Sequence, residues 1–138
     1  MTTEKAKFAL IDFLYFMLHA IERIKEDTSG VSKAEFLGDT TRGRQLRDAV
    51  VLNLGTLGEI AGDIRTHHSE FVAENPQFPV ARISAMRHQL FHGYHSINYE
   101  IVWTTCHIMV PELESWLRAG IAHFEGGDDR TDEPHGQV

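Results

Sequence analysis

Arginine, histidine and tyrosine are concentrated in residues 87–95, RHQLFHGYH, where Arg87 and His92 are five residues apart and Tyr94 follows. A guanidinium binds phosphate through a planar pair of donors, and an imidazole gives or takes a proton near neutral pH. These groups suit cleavage of RNA without a metal ion, because the attacking nucleophile is the RNA's own 2′-hydroxyl. We predict that Arg87 stabilises the scissile phosphate and that His92 is the general acid or base.

The spacing of Arg87 and His92 limits how their side chains can meet. Five helical residues turn through about 140° beyond one full turn, so the pair does not share a helix face. The side chains converge only if the helix ends at His92, and Gly93 suits the left-handed conformation that ends a helix. One such site still lacks a second proton-transfer group. A second copy of the chain across a cleft would supply it.

Two other interpretations of the same residues stay open. An arginine or histidine near a helix end often only caps the last carbonyls. In addition, His88 and His92 are four residues apart and His95 follows, a set that could bind a metal ion. This turn contains no Asp or Glu, and it lacks the HExxH pattern of zinc peptidases. We therefore predict no metal and no cofactor at this site.

Length and composition indicate one folded domain: the chain has 138 residues, of which 42% are hydrophobic and 24% are charged. A single cysteine, Cys106, excludes an internal disulfide and a cysteine zinc cage, and it agrees with a cytoplasmic protein. The apolar stretch FALIDFLYFML is interrupted by Asp12 and is too short to span a bilayer. It also lacks the layout of a signal peptide, so we expect neither secretion nor a membrane segment.

Acidic residues are concentrated at the end of the chain. The net charge is −7, and residues 125–138, EGGDDRTDEPHGQV, contribute −4 of it. We predict a helical domain over residues 1–124 and a disordered acidic tail over residues 125–138. The remaining domain, with a net charge of −3, is only mildly acidic and leaves room for a basic patch or, alternatively, an ordinary solvated face. The candidate arginines are Arg42, Arg44, Arg47, Arg82 and Arg87.

Apolar residues recur at helical spacing along the chain, and no strand-like alternation is sustained. This pattern predicts an all-α, up-and-down bundle of four main helices plus a short one. Helices are expected over residues 5–27, 32–39, 45–67, 79–92 and 98–124. Ser32 and Glu35 have the spacing of a capping box, Asn98 is a candidate N-cap, and Pro111 predicts a kink or brief break.

The first predicted helix carries two apolar stripes, so it needs two packing partners. The second partner could be another subunit of a dimer, or the helix could be central in one bundle. The stripes are Phe8, Ile11, Tyr15, Leu18 and Ile21, and Phe13, Phe16, Met17, Ala20 and Ile24.

Three glycines, Gly55, Gly58 and Gly62, fall on one face of the third predicted helix. Each costs about 1 kcal/mol of helix stability relative to alanine, so we expect another backbone to approach this face closely. Glu59 would lie beside that contact. A structural ion pair or partial exposure is the ordinary interpretation of such a carboxylate.

The stretch RHQLFHGY resembles the R-x4-H-x-Y motif of HEPN superfamily ribonucleases, specifically the HepT-like (DUF86) toxin branch. Arg87, His92 and Tyr94 fall on the fixed positions of the motif, and His88 takes its polar position. GVSKAEFLGD, RDAVVLNLGTLGEIAG and ISAMRHQLFHGYHSINYEIVW are similar to successive family blocks, so the resemblance covers residues 8–117. Glu59 matches the Gly-Glu pair of the family.

The resemblance implies an all-helical homodimer in which Arg87 and His92 of both chains line a cleft that cleaves RNA, such as tRNA or mRNA, without a metal ion. It also implies a toxin-antitoxin pair. The partner would be an MNT-type nucleotidyltransferase antitoxin that transfers AMP from ATP to Tyr94. His88 and Glu59 would be supporting residues. Some HEPN domains have lost nuclease activity, so a non-catalytic module that binds a nucleotidyltransferase or a nucleotide is the alternative.

Overall fold

A computed structural model describes the backbone of residues 9–92 and 94–136 and the side chains of residues 9–90 and 95–125. Over these residues the chain forms helices and no strand, which confirms the predicted all-α fold. The helices are α1 (Leu10–Thr28), α2 (Lys33–Leu37), α3 (Thr41–His67), α4 (Ser69–Glu74), α5 (Val80–His92), a 3-10 turn (Tyr94–Ser96), α6 (Tyr99–His107) and α7 (Met109–Gly136). None of the described helices is both long enough and apolar enough to cross a membrane.

Helix α3 contacts α2, α4 and α5 as well as α1, whereas helix α1 packs against α3 and α7. Its side chains Leu14, Met17 and Ile21 are completely buried, together with several from α3 and α7. The two apolar stripes are thus largely satisfied within one chain, although Phe16 remains 39% exposed. The homodimer stays a prediction.

Side-chain caps set several helix boundaries. The Ser32 hydroxyl accepts a hydrogen bond from the Glu35 amide, and the Glu35 carboxylate accepts one from the Ser32 amide, both at 3.1 Å. The predicted capping box is therefore confirmed. Asn98 Oδ1 accepts from the amides of Glu100 and Ile101, which confirms the predicted start of α6. Thr40 Oγ1 accepts from the Gly43 amide, so α3 begins at Thr41 rather than at residue 45.

Two features of the fold differ from the sequence-based expectation. The short helix α4 was missed, and its partly buried Phe71 packs against Phe78 and Trp116 in an aromatic cluster. The last predicted helix divides at Ile108, which is a turn, rather than at Pro111. Pro111 instead occupies the first turn of α7, where a missing amide hydrogen costs no helical hydrogen bond.

Helix α7 is assigned to Gly136 and therefore extends through most of residues 125–138. Tyr15 of α1 donates a hydrogen bond to Glu125, the last residue of α7 whose side chain is described. The side chains of residues 126–136 and all of residues 137–138 lie outside the described residues. The boundary at residue 124 and the disordered tail stay predictions.

Candidate active site

Helix α5 carries the Arg-His motif and is held against the core by one face. Ile83 is completely buried and Leu90 is 7% exposed, whereas Arg87, His88 and Gln89 are exposed. The helix starts directly after Pro79, as predicted, and ends at His92. Burial of one face thus fixes α5, while Arg87, His88 and Gln89 lie on its exposed side.

The stem of Arg87 lies directly on Gly58 of α3. A Cβ atom built on Gly58 would overlap Arg87 Cβ and would lie 3.0 Å from both its Cγ and its Cδ. A close approach is therefore found at Gly58, but the approaching group is a side chain and not the backbone that we expected. The prediction is wrong for Gly62, where no atom would lie within 4 Å of the added carbon.

Glu59 follows Gly58 and is exposed on α3. It lies on the rim of a groove of about 430 Å³ between α1 and α3. The groove has an arginine and a histidine on the α1 side and two carboxylates on the α3 side. Its lining residues are Phe13, Phe16, His19, Ala20, Arg23, Thr56, Glu59, Ile60 and Asp63. Glu59 thus lines this groove and directly follows the glycine that contacts Arg87, and its supporting role stays a prediction.

The side chains of His92 and Tyr94 and the whole of Gly93 lie outside the described residues. The backbone places His92 as the last residue of α5 and Tyr94 as the first residue of the 3-10 turn. The motif thus spans a helix end. Convergence of the Arg87 guanidinium with the His92 imidazole stays a prediction.

His88 is exposed on α5, one residue after Arg87. Among the described side chains, no three histidines, cysteines, aspartates or glutamates are arranged to share a metal ion. His92 is not among those side chains, so a site formed by His88, His92 and His95 is not tested.

A second, mainly apolar groove of about 610 Å³ lies between α5 and α6, beside the motif. Met86 and Leu90 of α5 line it, and Ile101 and Ile108 on its rim are 60% and 59% exposed. This groove was not predicted from the sequence. The available signal was the seven-residue spacing of Ile101 and Ile108, which places two large apolar side chains on the same outward side of the chain.

The candidate arginines of the basic patch differ in their contacts. Arg47 Nη1 donates to the carbonyl oxygens of Phe36 and Gly38 at 2.7 and 2.9 Å, so this arginine holds α2 against α3. Arg82 lies 3.8 Å from Glu112 of α7. Arg42 and Arg44 are exposed at the start of α3. The prediction was wrong for Arg47 because the carbonyls at the end of α2 need a donor.

In a comparison with known families, the model of the family described as "Ribonuclease HepT-like" matches residues 17–119. The matched segment includes Glu59 and the whole of the Arg-His-Tyr motif. It also spans most of α1 and continues into α7.

Relatives are found in archaea and bacteria. "Putative RNase MJ0127" of Methanocaldococcus jannaschii is 29% identical over 86% of this chain and 93% of its own length. "Putative RNase MJ1216" of the same organism is 28% identical over the same shares. "Putative RNase TTE0752" of Caldanaerobacter subterraneus subsp. tengcongensis is 30% identical over 77% of this chain and 88% of its own length. No solved structure matches the chain.

Proposed function

The chain belongs to the HepT-like ribonuclease family, and we propose that it is an endoribonuclease toxin that cleaves RNA without a metal ion. The observation that carries the proposal is the family match over residues 17–119, which contains Arg87, His92 and Tyr94 in the motif spacing. The names of three relatives as RNases support the same activity.

The proposed reaction needs only the kinds of group that this motif supplies, a proton-transfer group and a cation. The 2′-oxygen of RNA forms a bond to phosphorus while the bond from phosphorus to the 5′-oxygen breaks. A base takes the 2′-hydroxyl proton, and an acid protonates the leaving 5′-oxygen. The products are a 2′,3′-cyclic phosphate and a 5′-hydroxyl. In this scheme His92 transfers protons, and Arg87 stabilises the charge that develops on the phosphoryl oxygens.

A homodimer would complete the set of proton-transfer groups. One imidazole cannot be base and acid at the same moment, because the base must be neutral when the acid carries its proton. The partner subunit's His92 would provide the second group if two copies of α5 faced each other. We propose this arrangement together with the activity.

Tyr94 is the proposed site of control. An MNT-type nucleotidyltransferase antitoxin would transfer AMP from ATP to its hydroxyl. The added nucleotide brings bulk and negative charge two residues from His92. Both effects would oppose the approach of an RNA phosphate.

The activity is tested with the purified chain, total tRNA and a defined mRNA in EDTA. We expect cleavage that leaves cyclic-phosphate ends, and a rate at least about 100-fold lower for both Arg87→Ala and His92→Ala. Arg65→Ala is the matched control, since this arginine is exposed on α3 and has no proposed role. Induced expression of wild type and control should arrest growth. Intact RNA and normal growth with all four proteins would favour the non-catalytic binding module instead.

A further inference from the structure

Gly58 and Arg87 form one contact between α3 and α5, two helices that pack extensively against each other. We propose that Gly58 is a positioning residue for Arg87. The Cα of Gly58 carries no side chain, and Cβ, Cγ and Cδ of Arg87 lie against it. We call this contact surface the seat, and it determines the point from which the guanidinium extends. This inference rests on the proposed function for its catalytic consequence, but not for its geometry.

Arg87 occupies the space beside Gly58. The three heavy atoms nearest to a Cβ at Gly58 all belong to Arg87. Carbon atoms normally approach one another to about 3.5–4.0 Å, and two of these distances are 3.0 Å while the third is an overlap. Any side chain at position 58 would therefore displace Cβ, Cγ and Cδ of Arg87 together.

The seat also explains how an exposed arginine can have a defined position. Gly58 is buried, whereas Arg87 as a whole is exposed. Since Cβ, Cγ and Cδ of Arg87 lie against Gly58, the first carbons of this exposed side chain have a defined position on α3. A long side chain whose first carbons are fixed loses less freedom when its head binds a phosphate.

Gly62 shows that the need for glycine is local. It lies one helical turn after Gly58 in α3, yet nothing would lie within 4 Å of a Cβ added there. General packing of α3 against its neighbours therefore does not require glycine along the whole face. Of these two glycines, only Gly58, on which the Arg87 stem lies, requires the absence of a Cβ.

Kinetics test the catalytic consequence. A misplacement of about 1 Å at a catalytic group lowers a rate about 100-fold. We expect Gly58→Ala to lower kcat on RNA between tenfold and about 100-fold, with a much smaller change in KM. Gly62→Ala, the matched control, should keep wild-type kcat. A folded Gly58→Ala protein whose kcat stays within about twofold of wild type would overturn the inference.

Two further measurements do not depend on ribonuclease activity. In a nitrogen-15 spectrum, the Nε resonance of Arg87, assigned by its loss in Arg87→Lys, should move in Gly58→Ala and stay in Gly62→Ala. In a stability cycle, Gly58→Ala should lower the melting temperature when Arg87 is present, and the decrease should nearly vanish in an Arg87→Gly background. If the Gly58→Ala protein folds poorly on its own, the comparison of the two backgrounds still tests the contact between Gly58 and Arg87.

The outcomes separate this inference from the proposed function. If wild type leaves RNA intact, the proposed function fails, and the spectrum and the cycle still decide the seat. If wild type cleaves RNA but the resonance does not move and the decrease in melting temperature is equal in both backgrounds, the seat is refuted while the function stands.

Discussion

The guanidinium of Arg47 lies over the ring of Tyr99, with its carbon 5.3 Å from the ring centroid. The same guanidinium donates to two carbonyl oxygens at the end of α2. One side chain of α3 therefore connects α2, α3 and α6. Its charge is used within the fold rather than offered to a nucleic acid.

Replacement of Arg47 should destabilise the protein. In Arg47→Lys the charge remains, but the planar fork that reaches both carbonyls and the ring is lost. We expect the free energy of unfolding to fall by about 1–3 kcal/mol, as for other hydrogen bonds of charged groups. Urea titration followed by circular dichroism measures this. Arg44→Lys, an exposed neighbour on the same helix, should change stability by less than about 0.5 kcal/mol.

Local chemistry made part of the fold predictable. The Ser32 and Glu35 pair and the Asn98 cap could be recognised because a cap needs only residues three or four positions away. Helix α4 could not be recognised in this way. Its Phe71 packs against Phe78, which lies after α4, and against Trp116 of α7, and no pattern within α4 reveals these contacts. Tertiary packing, rather than the local sequence, therefore determines helix α4.

The candidate site divides in the same way. The residue types and spacing of Arg87 and His92 indicated their chemistry, and the glycine face of α3 indicated a close contact. Which residue makes that contact depends on how α3 packs against α5. The spacing of residues within either helix does not reveal this packing. Gly58 and Gly62 looked equivalent in the sequence, and only the packing distinguishes them.

Gly62 and Gly30 should respond oppositely to alanine. Both have free space around an added Cβ, but Gly30 has a φ of 71°, whereas Gly62 is in a helix interior. Gly62→Ala should raise the free energy of unfolding by up to about 1 kcal/mol through helix propensity. Gly30→Ala should lower it by about 1–2 kcal/mol because a Cβ disfavours the left-handed conformation. Equal effects of the two substitutions would contradict this explanation.

Glu114 should contribute stability that depends on pH. It lies 3.0 Å from Lys25 Nζ and 2.9 Å from Arg118 Nη2, and its side chain is only 14% exposed. The hydrogen bond from Lys25, assisted by Arg118 and opposed by burial, lowers the pKa of Glu114. A lowered folded-state pKa gives stability that is present above the unfolded value of about 4.3 and is lost as pH falls through the folded value.

Glu114→Gln tests this contribution. We expect a loss of about 1 kcal/mol at pH 7, measured by urea titration, and a difference from wild type that shrinks towards about pH 3. Glu26→Gln, which changes an exposed acid beside Lys25, is the control and should have little effect at either pH. A Glu114→Gln difference that is the same at both pH values would rule out the ion pair as its source.

Cys106 should be unreactive in the folded protein. The side chain is 6% exposed, and burial raises the pKa of its thiol to about 12. Because the thiolate is the reacting species, labelling by iodoacetamide near pH 8 should be very slow. Unfolding in urea should restore the rate of a free cysteine. Rapid labelling of the native protein would contradict the burial of this thiol.

Tyr94 should be the residue that accepts AMP when the chain is co-expressed with an MNT-type nucleotidyltransferase encoded beside it. Intact mass spectrometry should show added AMP on the wild type and none on Tyr94→Phe. Tyr99→Phe is the matched control and should keep the addition, because this partly buried ring lies under the Arg47 guanidinium. The modified wild type should no longer cleave RNA, since the added phosphate places negative charge where the substrate phosphate must bind. If Tyr94→Phe is still modified, the acceptor is another residue and the proposed control at this turn is wrong.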